Sequence, residues 1–193
     1  MAKVTLPPDP WQNVLTLHGL PADELISGLQ KCLRRGLAEK ALLIAYEMFA
    51  TSAEFEDHLW SRLSVISVED VGRGNIMMPV IVESLYRMHE RISRPSGDRF
   101  LFAAHAIRLI AESPKDRTSD DMVNFAKLEN QTRDKAPEIP DFAIDMHTKR
   151  GWDLGRGYEH FMKEASHIEN PVKDRDSSYR DRIMAALESG ELS

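Results

Sequence analysis

Residues 52–72 read SAEFEDHLWSRLSVISVEDVG. Phe55, Leu59, Leu63 and Ile66 fall four, four and three positions apart, the period of one face of an α-helix. The stretch predicts a helix that starts near Ser52 and ends before Gly72. The same spacing recurs on both sides. Leu25, Leu29, Cys32 and Leu33 predict a helix stopped by Gly36, and Ala38, Leu42, Ala45, Tyr46 and Phe49 predict the next. Gly72, Gly74 and Asn75 mark a loop. Pro79 then fits the first turn of a helix carrying Ile81, Leu85, Met88 and Ile92. The run from Phe100 to Ile110, with Asp98 as its N-cap, is apolar on most sides and is expected at the centre. Thr118 and Asp121 introduce a further helix with Met122, Phe125, Ala126 and Leu128 on one side.

Beyond Pro137 and Pro140 the elements shorten. A helix is expected from about Asp141 to Arg150, and a second from Tyr158 to about Ile168, joined by a turn holding Gly151, Gly155 and Gly157. Residues 173–178 are charged and polar, and Ser177 or Ser178 opens a last amphipathic helix with Ile183, Met184 and Leu187. No alternating strand pair and no hairpin turn is found. The fold class is therefore all-α, a compact array of short paired helices. The expected organisation is an extended N-terminal arm over 1–21, a helical domain over 22–170, and a charged linker with a short helix over 171–193. Pro7, Pro8 and Pro10 exclude a regular helix over residues 3–12.

The chain has 193 residues, enough for one domain or one domain with a tail. A hydrophobic share of 42% and a charged share of 29% exclude disorder throughout. The net charge of −6 argues against a protein built to coat nucleic acid. The single cysteine, Cys32, excludes an internal disulfide and a cysteine-rich zinc module, and suits a reducing compartment. No apolar run reaches the length of a membrane helix, and residues 1–10 lack the apolar core of a signal peptide. A cytoplasmic location and no membrane partner are expected.

Few side-chain patterns point to chemistry. His160, Glu164 and His167 share one helical face, and His147 reaches them across the glycine-rich turn, so this set is the candidate for a metal-dependent hydrolase. The alternative is a solvated polar face, which is far commoner, so no metal and no cofactor is expected. Glu54 and His58 read as a surface pair. Cys32 lies on an apolar stripe and reads as a core filler. No nucleophile elbow and no Walker motif is present, so no ATPase activity is expected from this chain. Lys149, Arg150, Arg156 and Lys163 are candidates for an anion or nucleic-acid contact, but Asp145, Asp153, Glu159 and Glu164 stand among them. Glu69 and Asp70 sit at the negative end of a helix, where carboxylates are unfavourable, so compensation is expected, either by capping the next turn or by pairing with a cation such as Lys115.

Three segments resemble one family in the family's own order. Leu59 to Gly72, with Arg62-Leu63 and Val68-Glu69-Asp70-Val71-Gly72, is the first. Phe102 to Lys115, an apolar helix ending in Ser113-Pro114-Lys115, is the second. Asp145-Met146-His147-Thr148-Lys149 with Gly151, Gly155, Gly157 and Tyr158 is the third. Together they are similar to the helical C-terminal region of the MgsA/RarA family of AAA+ ATPases, the replication-associated recombination proteins related to the Werner helicase-interacting protein. The span runs from about Leu25 to Glu169. The resemblance implies a clamp-loader-related helical domain that oligomerises, typically as a tetramer, in proteins acting at stalled replication forks. The ATPase core of that family is absent, and the closing segment departs from it at His160-Phe161-Met162-Lys163-Glu164.

The expected function is a non-enzymatic oligomerisation or interaction module, a dimer or tetramer acting in DNA replication or repair through protein partners. Nine methionines suit adaptable interfaces. Glu69, Asp70, Pro114, Lys115, His147, Lys149 and Gly155 are expected to form a structural polar junction, with no catalytic residue among them.

Overall fold

The computed structural model describes residues 9–132 and 136–192; the first eight residues of the expected arm lie outside these. The chain divides into two compact units, the first ending at Thr132 and the second following it, so the division falls inside the 22–170 stretch. The fold is all-α, and the one β contact among the described residues is an isolated bridge between Leu15 and Pro21. No helix there is long and apolar enough to cross a membrane.

The first unit carries α1 (Ala22–Arg34), α2 (Ala38–Thr51), α3 (Ala53–Ile66), α4 (Met78–His89), α5 (Arg99–Glu112) and α6 (Thr118–Thr132). Helix α1 packs on α2, α2 on α3 and α5, and α4 on α5. Helix α3 starts where its sequence places it: the Ser52 hydroxyl accepts the Phe55 N–H at 3.1 Å. Its stripe of Phe55, Leu59, Leu63 and Ile66 is fully buried, and each such side chain contributes about 1.5–3 kcal/mol. Gly36 ends α1 at φ +71°. Its N–H reaches the Leu33 carbonyl and the Leu37 N–H reaches that of Cys32, a doubly bonded C-terminal cap that needs the left-handed residue. Helix α5 is central as expected, burying Ala103, Ala106, Ile107 and Ile110. Cys32 packs partly buried against the core.

Helix α4 differs in phase from the expected stripe. Met88 is exposed, and the buried seam is Met78, Val82 and His89. His89 holds a core position because its ring lies against Trp60 at 4.6 Å and its nitrogens meet the Tyr86 carbonyl and Arg99. The N-terminal segment is not simply extended. Pro10–Asn13 form a 3-10 turn capped by Asp9, and Trp11 stacks on Phe55 at 4.7 Å. The expected N-cap Asp98 makes no capping bond.

A buried ion cluster stitches α3 to the α4–α5 connection. Glu56, 3% exposed, accepts Arg94 at 2.6 Å and Arg99 at 2.7 Å. Arg94 also donates to the Phe49 carbonyl at 2.8 Å and Arg99 to the His89 carbonyl at 3.1 Å. Each cation thus satisfies a helix end as well as the carboxylate.

In the second unit, Asp141–Ala143 form a 3-10 turn and α7 (Lys149–Asp153) follows, in place of one helix over 141–150. Helix α8 (Tyr158–His160) runs on as a π turn over Phe161–Ala165. Helix α9 (Ser178–Ser189) is not isolated by its charged linker. Arg180 donates to the Ser166 hydroxyl at 2.7 Å and to the Met162 carbonyl, docking α9 on the preceding turn.

Removing Glu56 leaves two arginines facing each other without a carboxylate. Glu56→Ala is expected to lower unfolding stability by about 3–5 kcal/mol in urea titration. A loss comparable to that of an exposed glutamate would show that the cluster is not coupled to folding.

Candidate functional site

The helix α3 continues beyond Ile66 as a wider π turn, Ser67–Val71, which ends at Gly72. Such turns arise where a helix must re-aim its side chains. Here Asp70 is turned fully inward and Glu69 lies beside it, part-exposed. The π turn is stabilised by groups from two segments, α1 and the residue before α6. Arg34, at the end of α1, reaches Asp70 through Nε and Glu69 through Nη2 at 3.1 Å. Arg117, just before α6, lies 2.7 Å from Asp70 and 3.0 Å from Glu69. Gln30 donates to Glu69 at 2.7 Å and Asp70 at 3.1 Å, while its own oxygen accepts from Arg62 at 2.6 Å. Asp120 pairs with the far side of Arg117.

Burial by itself would raise the Asp70 carboxyl, but the hydrogen bonds from Arg34, Arg117 and Gln30 outweigh it and hold the group below the usual carboxylate range. The expected compensation of the two carboxylates is therefore present, supplied mainly by arginines. Lys115 plays another part. Its Nζ donates to the carbonyls of Ile110 at 2.7 Å and Ala111 at 3.2 Å, capping the end of α5. Burial pushes its ammonium down, opposed by the charge of Asp70.

The first two segments of the family resemblance meet here. The Asp70 carbonyl accepts the Asp116 N–H at 3.0 Å. A Cβ at Gly72 would collide with the Asp116 carbonyl, and one at Gly74 with that of Pro114. Gly72 also lies at φ +50°. Both glycines are thus required by the close approach of residues 114–116. Glu69, Asp70, Pro114 and Lys115 form one junction in the first unit, whereas His147, Lys149 and Gly155 belong to the second.

In the second unit, Asp145 organises a tight loop. Its carboxylate accepts the His147 N–H at 3.0 Å and contacts Nδ1 at 2.9 Å, which lowers its pKa. Thr148 caps α7 through the Gly151 N–H at 3.0 Å, and a Cβ at Gly151 would strike the Asp145 carbonyl. Gly155 closes the following turn at φ +69°. Arg156 forks onto both oxygens of Asp141 at 2.8 Å and onto the Ile144 carbonyl at 2.7 Å. Lys149 pairs with Asp153 at 2.7 Å and Lys163 with Glu159 at 2.6 Å. Three of the four expected anion contacts are therefore neutralised locally, and Arg150 is the exception in the bonds described.

The histidines do not converge on a metal. His147 is bound to Asp145, and His167 lies 3.4 Å from Glu169. Among the described residues no group of three or more histidine, cysteine or acidic side chains is arranged to hold a metal ion.

The sequence reading missed Glu56, Arg34 and Arg117. A signal for Glu56 exists: it stands three, four and seven positions before Leu59, Trp60 and Leu63, inside the apolar face. No local pattern points to the arginines, which lie 36 and 47 residues from Asp70.

Asp70→Asn is expected to cost about 1–3 kcal/mol at neutral pH, because the arginines lose their charged acceptor. The wild-type contribution is present above the ordinary carboxylate value of about 3.9 and is lost as the pH falls through the lower folded value. Urea midpoints measured from pH 7 downward should therefore fall less steeply below about pH 4 in the variant than in wild type. Parallel curves would contradict the assignment. Comparison of the chain with protein-family models and with curated proteins gives no match.

Proposed function

We propose that this chain is a non-enzymatic assembly module that self-associates through α6 and serves DNA replication or repair through protein partners. The replication or repair context comes from the family resemblance alone. The assembly role is supported by one observation. Helix α6 has fifteen residues and buries none of them. Met122 is 66% exposed, Phe125 62% and Leu128 56%. Spaced three apart, these side chains lie on one side of the helix, so they form an apolar stripe facing solvent. Ordering and exposing such a stripe costs free energy, and burying it against another surface recovers it.

The polar sites support the same reading by what they are occupied with. Glu69, Asp70 and Glu56 of the first unit are held by structural arginines, and Lys149, Arg156 and Lys163 of the second pair with their own neighbours. Such groups are held in place as counter-charges.

Native mass spectrometry of the full chain is expected to give a dimer or tetramer. Phe125→Glu should shift it to monomer with unchanged circular dichroism, since Phe125 supports nothing in the core. A wild-type monomer would overturn the reading.

A further inference from the structure

The segment before α1 lies on the first unit in two separately bonded pieces. Residues 9–14 form one: the Asp9 carboxylate accepts the Trp11 N–H at 2.9 Å, and the Trp11 carbonyl accepts the Val14 N–H at 3.2 Å. Residues 14–22 form the other: the Val14 carbonyl accepts the Ala22 N–H at 3.0 Å, and the Leu20 carbonyl accepts the Thr16 N–H at 2.9 Å. This second piece is pinned to α2 by directed bonds. Glu47 accepts the His18 N–H at 2.9 Å and lies 2.6 Å from His18 Nδ1, and the Thr51 hydroxyl accepts the Leu17 N–H at 3.1 Å. Nδ1 can donate to that carboxylate whether the ring is neutral or charged. Burial would raise the Glu47 carboxyl, but the bonds from Thr16 and His18 outweigh it and hold the group below the usual carboxylate range. The anchor on α2 therefore survives mild acid.

The first piece rests on α3 by ring packing. Trp11 stacks on the buried Phe55 at 4.7 Å and lies 5.0 Å from the part-buried imidazole of His58. Arg62 stands four positions along α3 from His58, its guanidinium held by the Gln30 oxygen at 2.6 Å. A proton on His58 thus adds a second cation to one helix face, where Trp11 keeps water from it. Two groups on the turn act the other way. Asp9 carries a negative charge, and the indole face attracts a cation. Burial first and Arg62 second outweigh them and push the imidazole below its ordinary value of 6.5. The covered state therefore favours neutral His58. Its stability is full above that ordinary value and is lost as the pH falls through the lower value of the covered ring.

We infer that the 9–13 turn is a flap over α3 that lifts off Phe55 when His58 takes up a proton, swinging about Val14 while residues 16–20 stay fixed on α2. Lifting bares the Phe55 ring, so this apolar face of the first unit is open in mild acid and closed at neutral pH. The device is independent of the assembly reading above.

The test uses the full chain with Trp152→Phe. That change removes an exposed indole and leaves Trp60, 2% exposed, as the one tryptophan besides Trp11. Acrylamide quenching of the fluorescence then reads the exposure of Trp11. Between about pH 7.5 and about pH 5, the range in which histidine titrates, the quenching constant should rise several-fold with unchanged circular dichroism. His58→Gln should abolish the rise. Arg62→Gln, which keeps the imidazole and removes its cationic neighbour, should shrink it. A constant that stays level or falls on acidification in the Trp152→Phe chain would overturn the flap. So would an undiminished rise in either variant, or a helix signal lost in step with the quenching.

Discussion

The buried Asp70 carboxylate is the constraint on which the first unit turns. It stands at the negative end of a helix and out of water, two conditions that each disfavour its charge. The chain keeps it ionised by bringing Arg34, Arg117 and Gln30 to it. Those partners come from α1, which supplies Gln30 and Arg34, and from Arg117 just before α6, so satisfying one carboxylate ties two segments to the π turn. Close approach of the backbones follows, and with it the need for glycine at 72 and 74. Glu56 repeats the arrangement between α3 and the α4–α5 connection. In both places removal of the buried carboxylate leaves two arginines without their shared counter-charge, which is why the clusters act as locks on a particular helix arrangement.

Helix α6 inherits its setting from that lock. Its first residues are tied to Asp70 through Arg117 and to the preceding loop through Asp116, while its body buries nothing. The helix is ordered at one end by charge and carries an exposed apolar stripe of Met122, Phe125 and Leu128 on a body that is otherwise mostly polar. The second unit works differently: Asp145, Arg156, Lys149 and Lys163 bond within fifteen residues of themselves, so its polar groups stabilise local loops and are spent there.

How far the sequence was legible follows the range of the interactions. Phe55, Leu59, Leu63 and Ile66 repeat with helical period, and their burial could be read directly. The α4 seam could not, because hydropathy ranks Met88 above His89, whereas the ring of His89 is accommodated by Trp60 and its nitrogens by partners. That Glu69 and Asp70 needed cations was legible from the helix dipole. Which cations was not, since Arg34 and Arg117 reach them only through the tertiary fold. The apolar side of α6, with Met122, Phe125 and Leu128, was legible from its period, but period alone does not say whether such a side is buried, and here it is exposed.

The central claim is that the α6 stripe is covered by another copy. Hydrogen–deuterium exchange of the amides over 118–132, followed at low and high protein concentration, addresses it directly. Protection that rises with concentration across the Met122–Leu128 stretch, while α3 stays unchanged, is the result this account predicts. Identical exchange of α6 at both concentrations would contradict it.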